Sequence, residues 1–121
     1  MARILVAEDE ATVREFVVRA LGIAGHQVTA VVDGGAALEA LEQDSYDLLL
    51  TDIVMPVMDG IALALAVARD YPGMPVLLMS GYPKERQRAH NMEVLVHDVL
   101  AKPFTLDALL KAVAGALKPP K

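Results

Sequence analysis

The chain has 121 residues, which is the size of one domain and enough to bury a hydrophobic core. It is 55% hydrophobic and 4% aromatic, has no cysteine and carries a net charge of −5. This acidic balance argues against nucleic acid as a partner, and the absence of cysteine excludes disulfides and thiolate metal sites. The apolar stretches are too short to span a bilayer. These features predict a cytoplasmic protein without a membrane segment.

Strand-like and helix-like segments alternate along the chain. Short apolar runs predict strands at 4–7, 27–31, 47–51, 75–79 and near Val99. Helical spacing predicts a first helix with Val13, Phe16, Val17, Ala20, Leu21 and Ala24 on its inner face, after a capping box formed by Thr12 and Glu15. Further helices are predicted over 36–43, after a turn at 33–35, and over 61–70.

The last third of the chain contains two more predicted helices. The segment 84–92 is polar and basic, so its helical pattern is the weakest. Thr105 is expected to cap the last helix, which would face inward with Leu106, Leu109, Leu110, Val113 and Leu117. Five strands alternating with five helices predict an α/β fold, a doubly wound parallel sheet with helices on both faces.

Polar residues follow four of the predicted strands. Glu8 and Asp9 come after the first strand, Asp52 after the third, Ser80 after the fourth, and Lys102-Pro103 after the fifth. Each residue alone has an ordinary explanation, such as a solvated carboxylate, a helix cap, a turn serine or a salt bridge. Together, at one edge of a sheet, they predict one site. Three carboxylates without cysteine favour a hard cation, and Mg²⁺ is the obvious one.

These residues occur in segments that resemble the receiver domain of two-component response regulators, the CheY-like family. The resemblance rests on residues 4–10 (ILVAEDE), 47–60 (DLLLTDIVMPVMDG), 78–82 (LMSGY) and 102–104 (KPF). It covers essentially the whole chain, and we expect a receiver domain over residues 1–117, with 118–121 as a short tail and no effector domain. It implies a flavodoxin-like (βα)5 fold with the strand order 2-1-3-4-5.

The resemblance also implies a role for each site residue. Asp52 would accept a phosphoryl group from a histidine kinase or a histidine phosphotransfer protein. Glu8, Asp9, the Asp52 carboxylate and the backbone carbonyl of Val54 would hold Mg²⁺. Lys102 would bind a phosphoryl oxygen, and Ser80 would turn toward it after the transfer. Such a protein is not an enzyme, beyond its own phosphorylation and dephosphorylation. Its output would pass to a partner protein through the fourth helix, the fifth strand and the fifth helix.

Four positions, Val54, Tyr82, Val99 and Pro103, bear on the output or on the lifetime of the phosphorylated state. Val99 stands where this family often has a Tyr or Phe that rotates with the hydroxyl. Signalling is therefore expected to run through the loop from Ser80 to Tyr82 and the weak helix predicted after Pro83. Val54 and Tyr82 offer no acid or amide to orient water, which predicts slow self-dephosphorylation. Pro103 stiffens the loop after Lys102, and the bond between the two can be cis.

Several functions remain open at this point. A stand-alone receiver is favoured. The sequences of several segments are similar to those of the CpdR-like group, whose members are adaptors for regulated proteolysis. The chain can also be a receiver cut from a longer regulator, or a binding scaffold without phosphorylation. A haloacid-dehalogenase-like magnesium phosphatase is disfavoured, because that family needs an acid two residues after the nucleophile and Val54 stands there.

Overall fold

The computed structural model describes residues 2–81 and 96–118. The strands β1 (Arg3–Ala7), β2 (Gln27–Val31), β3 (Leu48–Asp52), β4 (Val76–Ser80) and β5 (Asp98–Ala101) form one parallel sheet in the order β2-β1-β3-β4-β5. The described helices are α1 (Ala11–Ile23), α2 (Gly34–Gln43), α3 (Gly60–Asp70) and α4 (Leu106–Leu117). The predicted fold and strand order are confirmed, while the helix predicted over 84–92 lies outside the described residues.

Two hydrophobic layers sandwich the sheet. Successive strand residues point to opposite faces, so neighbours such as Leu49 and Leu50 enter different layers. One layer packs against buried residues of α2 and α3, and the other against buried residues of α1 and α4. Every residue of β3 and β4 is buried, which explains why these strands show no polar alternation.

Three of the four described helices begin at a side-chain cap. Asp33, Asp59 and Thr105 each accept a hydrogen bond from the backbone N–H three residues later, at 2.8, 2.8 and 3.0 Å. The cap at Asp33 starts α2 at Gly34, two residues before the predicted start. These caps fix where α3 and α4 leave the edge of the sheet that carries the polar residues.

The start of α1 differs from the prediction. The Arg14 N–H donates to the Glu10 carbonyl at 2.9 Å, so the helix begins at Ala11 and Glu10 takes the N-cap position. Thr12 therefore lies inside the first turn, and the capping box predicted from Thr12 and Glu15 is wrong. The Glu10 side chain makes no capping hydrogen bond.

Three residues predicted to face inward are exposed. Ala24 is exposed because it is the C-cap residue of α1, beyond the last buried residue of that helix. Phe16 is 42% exposed, because the buried stripe of α1 runs through Val17, Ala20 and Leu21 and leaves Phe16 at its flank. Leu106 is 47% exposed at the first turn of α4, ahead of that helix's buried residues. Within residues 2–81 and 96–118, no helix has the length and apolar composition that crossing a membrane requires.

Candidate functional site

Three carboxylates meet where β1 and β3 end. Ala7 pairs with Thr51 in the sheet, so the residues that follow them, Glu8 and Asp52, are neighbours. One carboxylate oxygen from each of Glu8, Asp9 and Asp52 lies within 4.8 Å of the others. Glu8 is fully buried and Asp52 is 7% exposed, whereas Asp9 faces solvent. The structure thus brings together the three acids that the sequence places at the ends of two strands.

Lys102 reaches the same point from the end of β5. Its Nζ lies 2.7 Å from Glu8 Oε1 and 3.1 Å from Asp52 Oδ2. Its backbone N–H donates to the Ser80 carbonyl at 2.7 Å, and the Lys102–Pro103 peptide bond is cis. The Ser80 side chain is 1% exposed at the end of β4. The backbone after β5 is therefore tied to β4, which holds the ammonium beside the acids.

The charges at this edge are unbalanced. Burial raises the pKa of Glu8 to about 7, against the opposing hydrogen bond from Lys102 and with a further contribution from the nearby Asp52 carboxylate. Burial also works against the charged form of Lys102, but its hydrogen bond to Glu8 and the Asp52 charge outweigh that effect and raise its pKa. In the described part of the chain the Lys102 ammonium contacts the carboxylates of Glu8 and Asp52, and Asp9 adds a third carboxylate to the cluster. An oxygen-only donor set with excess negative charge fits a hard divalent cation such as Mg²⁺.

The backbone holds the Asp52 carboxylate and the chain that carries it. Asp52 Oδ1 accepts a hydrogen bond from the Ile53 N–H at 3.0 Å. The buried Thr51 hydroxyl donates to the Asp52 carbonyl at 3.0 Å and contacts Met55 Sδ at 3.7 Å. Sequence reasoning missed Thr51. A single hydroxyl in an otherwise apolar strand indicates that this hydroxyl forms a hydrogen bond to nearby backbone.

Gly60 is the second residue that sequence reasoning missed. Its N–H donates to the Ile53 carbonyl at 2.8 Å, which draws the start of α3 against the end of β3. A Cβ at this position would collide with the Asp52 carbonyl oxygen and lie 2.9 Å from the Asp52 carbonyl carbon. Only glycine permits this approach. The signal in the sequence is the Asp59-Gly60 pair, a helix cap followed by a residue without a side chain.

Two of the three acids line a cavity that also has an apolar wall. Asp9, Asp52 and Lys102 line it together with Val13, Phe16 and Phe104. The Phe16 and Phe104 rings lie 6.1 Å apart. Asp52 is thus nearly buried as a residue but can be reached through this opening.

Three of the remaining predicted residues, Val54, Val99 and Pro103, belong to the described part of the chain. Val54 follows Asp52 and is 54% exposed, and its carbonyl as a ligand stays a prediction. Val99 is half-buried on β5 and packs against the layer that contains Leu78. Pro103 lines the cavity. Tyr82 lies outside the described residues, so its proposed part in signalling stays a prediction as well.

Comparison with known proteins identifies the family. Residues 4–114 match the family described as "Response regulator receiver domain". The chain is 39% identical over 117 residues to the response regulator receiver protein CpdR of Brucella abortus, covering 97% of this chain and 98% of that protein. It is 37% identical over 113 residues to the response regulator protein FleR of Pseudomonas aeruginosa, covering 93% of this chain but 24% of FleR.

A solved structure agrees with these relatives. The chemotaxis response regulator CheY4 of Vibrio cholerae superimposes with a TM-score of 0.89 at 29% identity, covering 97% of this chain and 99% of that one. The sheet order, the family match and the structural likeness agree along nearly the whole length. The chain belongs to the receiver-domain family of two-component response regulators.

Proposed function

We propose that Asp52 accepts a phosphoryl group from the phosphohistidine of a histidine kinase or a histidine phosphotransfer protein. The observation that carries this is the meeting of Glu8, Asp9 and Asp52 within 4.8 Å, with Lys102 against two of them and an open cavity lined by Asp9, Asp52 and Lys102. Phosphoryl transfer depends on positioning and charge neutralisation more than on covalent assistance from the protein.

The residues divide this chemistry among them. Asp52 Oδ2 would attack phosphorus, forming an acyl phosphate as the bond between phosphorus and the donor's histidine nitrogen breaks and its electron pair returns to the imidazole. Lys102, 3.1 Å from Asp52 Oδ2, would hold a phosphoryl oxygen. Glu8, Asp9, Asp52 and the Val54 carbonyl would hold Mg²⁺, which neutralises phosphoryl charge when it is bound.

The phosphorylated protein would then control a partner by binding. Ser80 is tied through its carbonyl to Lys102, so a phosphoryl group on Asp52 would act on β4 and β5 together. The output surface would consist of β5, α4 (the fifth helix of the family's fold) and the family's fourth helix, which was predicted over 84–92. Val54 offers an exposed apolar side chain beside Asp52 and no group that orients water, which favours slow loss of the phosphoryl group. With no acid at that position, we propose an acceptor rather than a phosphatase.

The identity to CpdR over nearly the full length of both chains supports a CpdR-like role as an adaptor for regulated proteolysis. Affinity capture from cell extract with the wild type and with Asp52→Ala as bait tests the output. Proteins bound by one bait and not by the other are the expected partners. Identical captured sets would contradict a switch at Asp52.

Phosphorylation itself is tested with a small phosphoryl donor, acetyl phosphate, with and without Mg²⁺. The wild type should gain one phosphoryl group by intact mass, only with Mg²⁺, and Asp52→Asn should gain none. Asp59→Asn is the matched control in the same loop, because asparagine still caps α3. A phosphoryl group on Asp52→Asn at the wild-type rate would contradict the proposal.

A further inference from the structure

Arg14 lies in the first turn of α1 and reaches back over the start of the helix. Its Nη1 donates to the Glu8 carbonyl oxygen at 2.9 Å and lies 3.4 Å from the Asp9 carbonyl oxygen. The side chain is partly buried. One guanidinium nitrogen therefore contacts the main chain of both acids that come from β1.

The start of α1 has no side-chain cap, and the Arg14 contact ties it to the preceding loop. Glu10 occupies the N-cap of α1 without a capping hydrogen bond from its side chain, unlike the caps of α2, α3 and α4. The loop between β1 and α1 carries Glu8 and Asp9, and the Glu10 N–H lies 3.2 Å from Glu8 Oε2. Arg14 supplies a side-chain tie from the helix to this loop.

Arg14 and Lys102 contact different kinds of oxygen atom near the site. Lys102 contacts carboxylate oxygens of Glu8 and Asp52, so it occupies atoms that a cation would use. Arg14 contacts carbonyl oxygens instead. It can therefore hold the chain in place without itself occupying a carboxylate oxygen of Glu8 or Asp9.

We infer that Arg14 is a positioning residue for the magnesium site, fixing the loop of Glu8 and Asp9 through their carbonyl oxygens. The inference rests on the proposed function and extends it to a residue outside the carboxylate set. A positioning role and a purely electrostatic role predict opposite changes in Mg²⁺ affinity when Arg14 is replaced. A positive charge near the site repels Mg²⁺, so removing it without any positional loss would tighten binding. Loss of positioning would weaken binding.

The test measures Mg²⁺ affinity by isothermal titration calorimetry for the wild type, Arg14→Met, Arg14→Lys and Arg19→Met. Arg19→Met is the matched control, because it removes the same charge from the exposed side of α1. Arg14→Met should weaken Mg²⁺ binding about tenfold, the scale seen when a group that orients metal ligands is removed. Arg19→Met should bind as tightly as the wild type or slightly tighter. Arg14→Lys keeps a donor and a charge, and should recover part of the lost affinity.

Two results overturn the inference in different ways. If the wild type binds Mg²⁺ and Arg14→Met binds it as tightly or more tightly, the positioning role fails while the proposed function stands. If the wild type binds no Mg²⁺, the proposed function fails and the inference fails with it. Thermal unfolding in EDTA checks that each variant is folded, and Arg14→Lys serves as the test variant if Arg14→Met is not. In that case Arg14→Lys should bind Mg²⁺ no more tightly than the wild type, and the amide resonances of residues 9 and 10 should shift relative to the wild type. Tighter Mg²⁺ binding or unshifted resonances would overturn the inference.

Discussion

Glu8 is a buried acid whose proton equilibrium depends on the fold. Burial first, and then the Asp52 charge, raise its pKa from 4.5 to about 7 although Lys102 opposes the shift. The folded chain therefore binds this proton more tightly than the unfolded chain does. Between pH 4.5 and about 7 the folded state holds more protons, so the contribution of Glu8 to stability is complete below pH 4.5 and is lost as pH rises toward 7.

This shift predicts the pH dependence of the metal-free protein. The free energy of unfolding of the wild type, relative to Glu8→Gln, should fall as pH rises across that window. Urea unfolding of both proteins in EDTA at several pH values measures the difference. Glu8→Gln is the reference because it keeps the shape of the side chain and does not titrate. A difference that stays constant with pH, or that rises, would contradict the shifted equilibrium.

Val57 has an unusual backbone conformation for a β-branched residue. Its φ is 72°, its side chain is 83% exposed, and the Met58 N–H donates to the Pro56 carbonyl at 2.8 Å around it. These features describe a γ-turn of the strained, positive-φ kind. The strain lies in the loop that joins Asp52 to α3.

Val57→Gly should therefore stabilise the protein by about 1 kcal/mol, because glycine adopts positive φ freely and little burial is lost. Val57→Ala is the control, since it shortens the side chain but keeps a Cβ. It should gain less. The midpoint of urea unfolding distinguishes the two variants, and equal midpoints would show that the positive φ carries no strain.

At the scale of elements, the contact of α3 with the end of β3 depends on Gly60. A Cβ there would meet the Asp52 carbonyl group and lie 3.0 Å from Ile53 Cα, and these are backbone atoms that cannot rotate away. Gly60→Ala should destabilise the protein by about 2 kcal/mol and slow phosphorylation, because the chain at Asp52 must shift.

Gly22 provides the matched control for this substitution. It lies in α1, and a Cβ added there meets no atom within 4 Å. Gly22→Ala should stabilise the helix by about 0.5 kcal/mol. Thermal unfolding of the two variants should move in opposite directions. A Gly60→Ala protein as stable as the wild type would refute the close approach of α3.

At the scale of the whole molecule, the alternation of apolar runs and helical periods predicted the sheet correctly. The central strands were predictable because both faces of β3 and β4 are buried, with Leu49 in one layer and Leu77 in the other, which leaves an unbroken apolar signal. The starts of α1 and α2 were less predictable. Whether Glu10 or Thr12 begins α1 depends on a single backbone hydrogen bond, which residue type does not decide.

The members of the site were predictable from the ends of the strands, but their supports were not. Glu8, Asp9, Asp52 and Lys102 carry charge next to apolar runs, which is visible in a sequence. The close approach of Gly60 and the reach of Arg14 to two carbonyl oxygens are properties of packing. They appear only when α3 and α1 are placed against the edge of the sheet.

The central claim is that Asp52 becomes an acyl phosphate. Sodium borohydride reduces an aspartyl phosphate to homoserine, and peptide mass spectrometry then locates the reduced residue. After treatment with acetyl phosphate and Mg²⁺, homoserine is expected at position 52, and no homoserine is expected in a sample without Mg²⁺. Homoserine at Asp9 or another acid, or a phosphorylated protein with no reduced residue at position 52, would contradict the account.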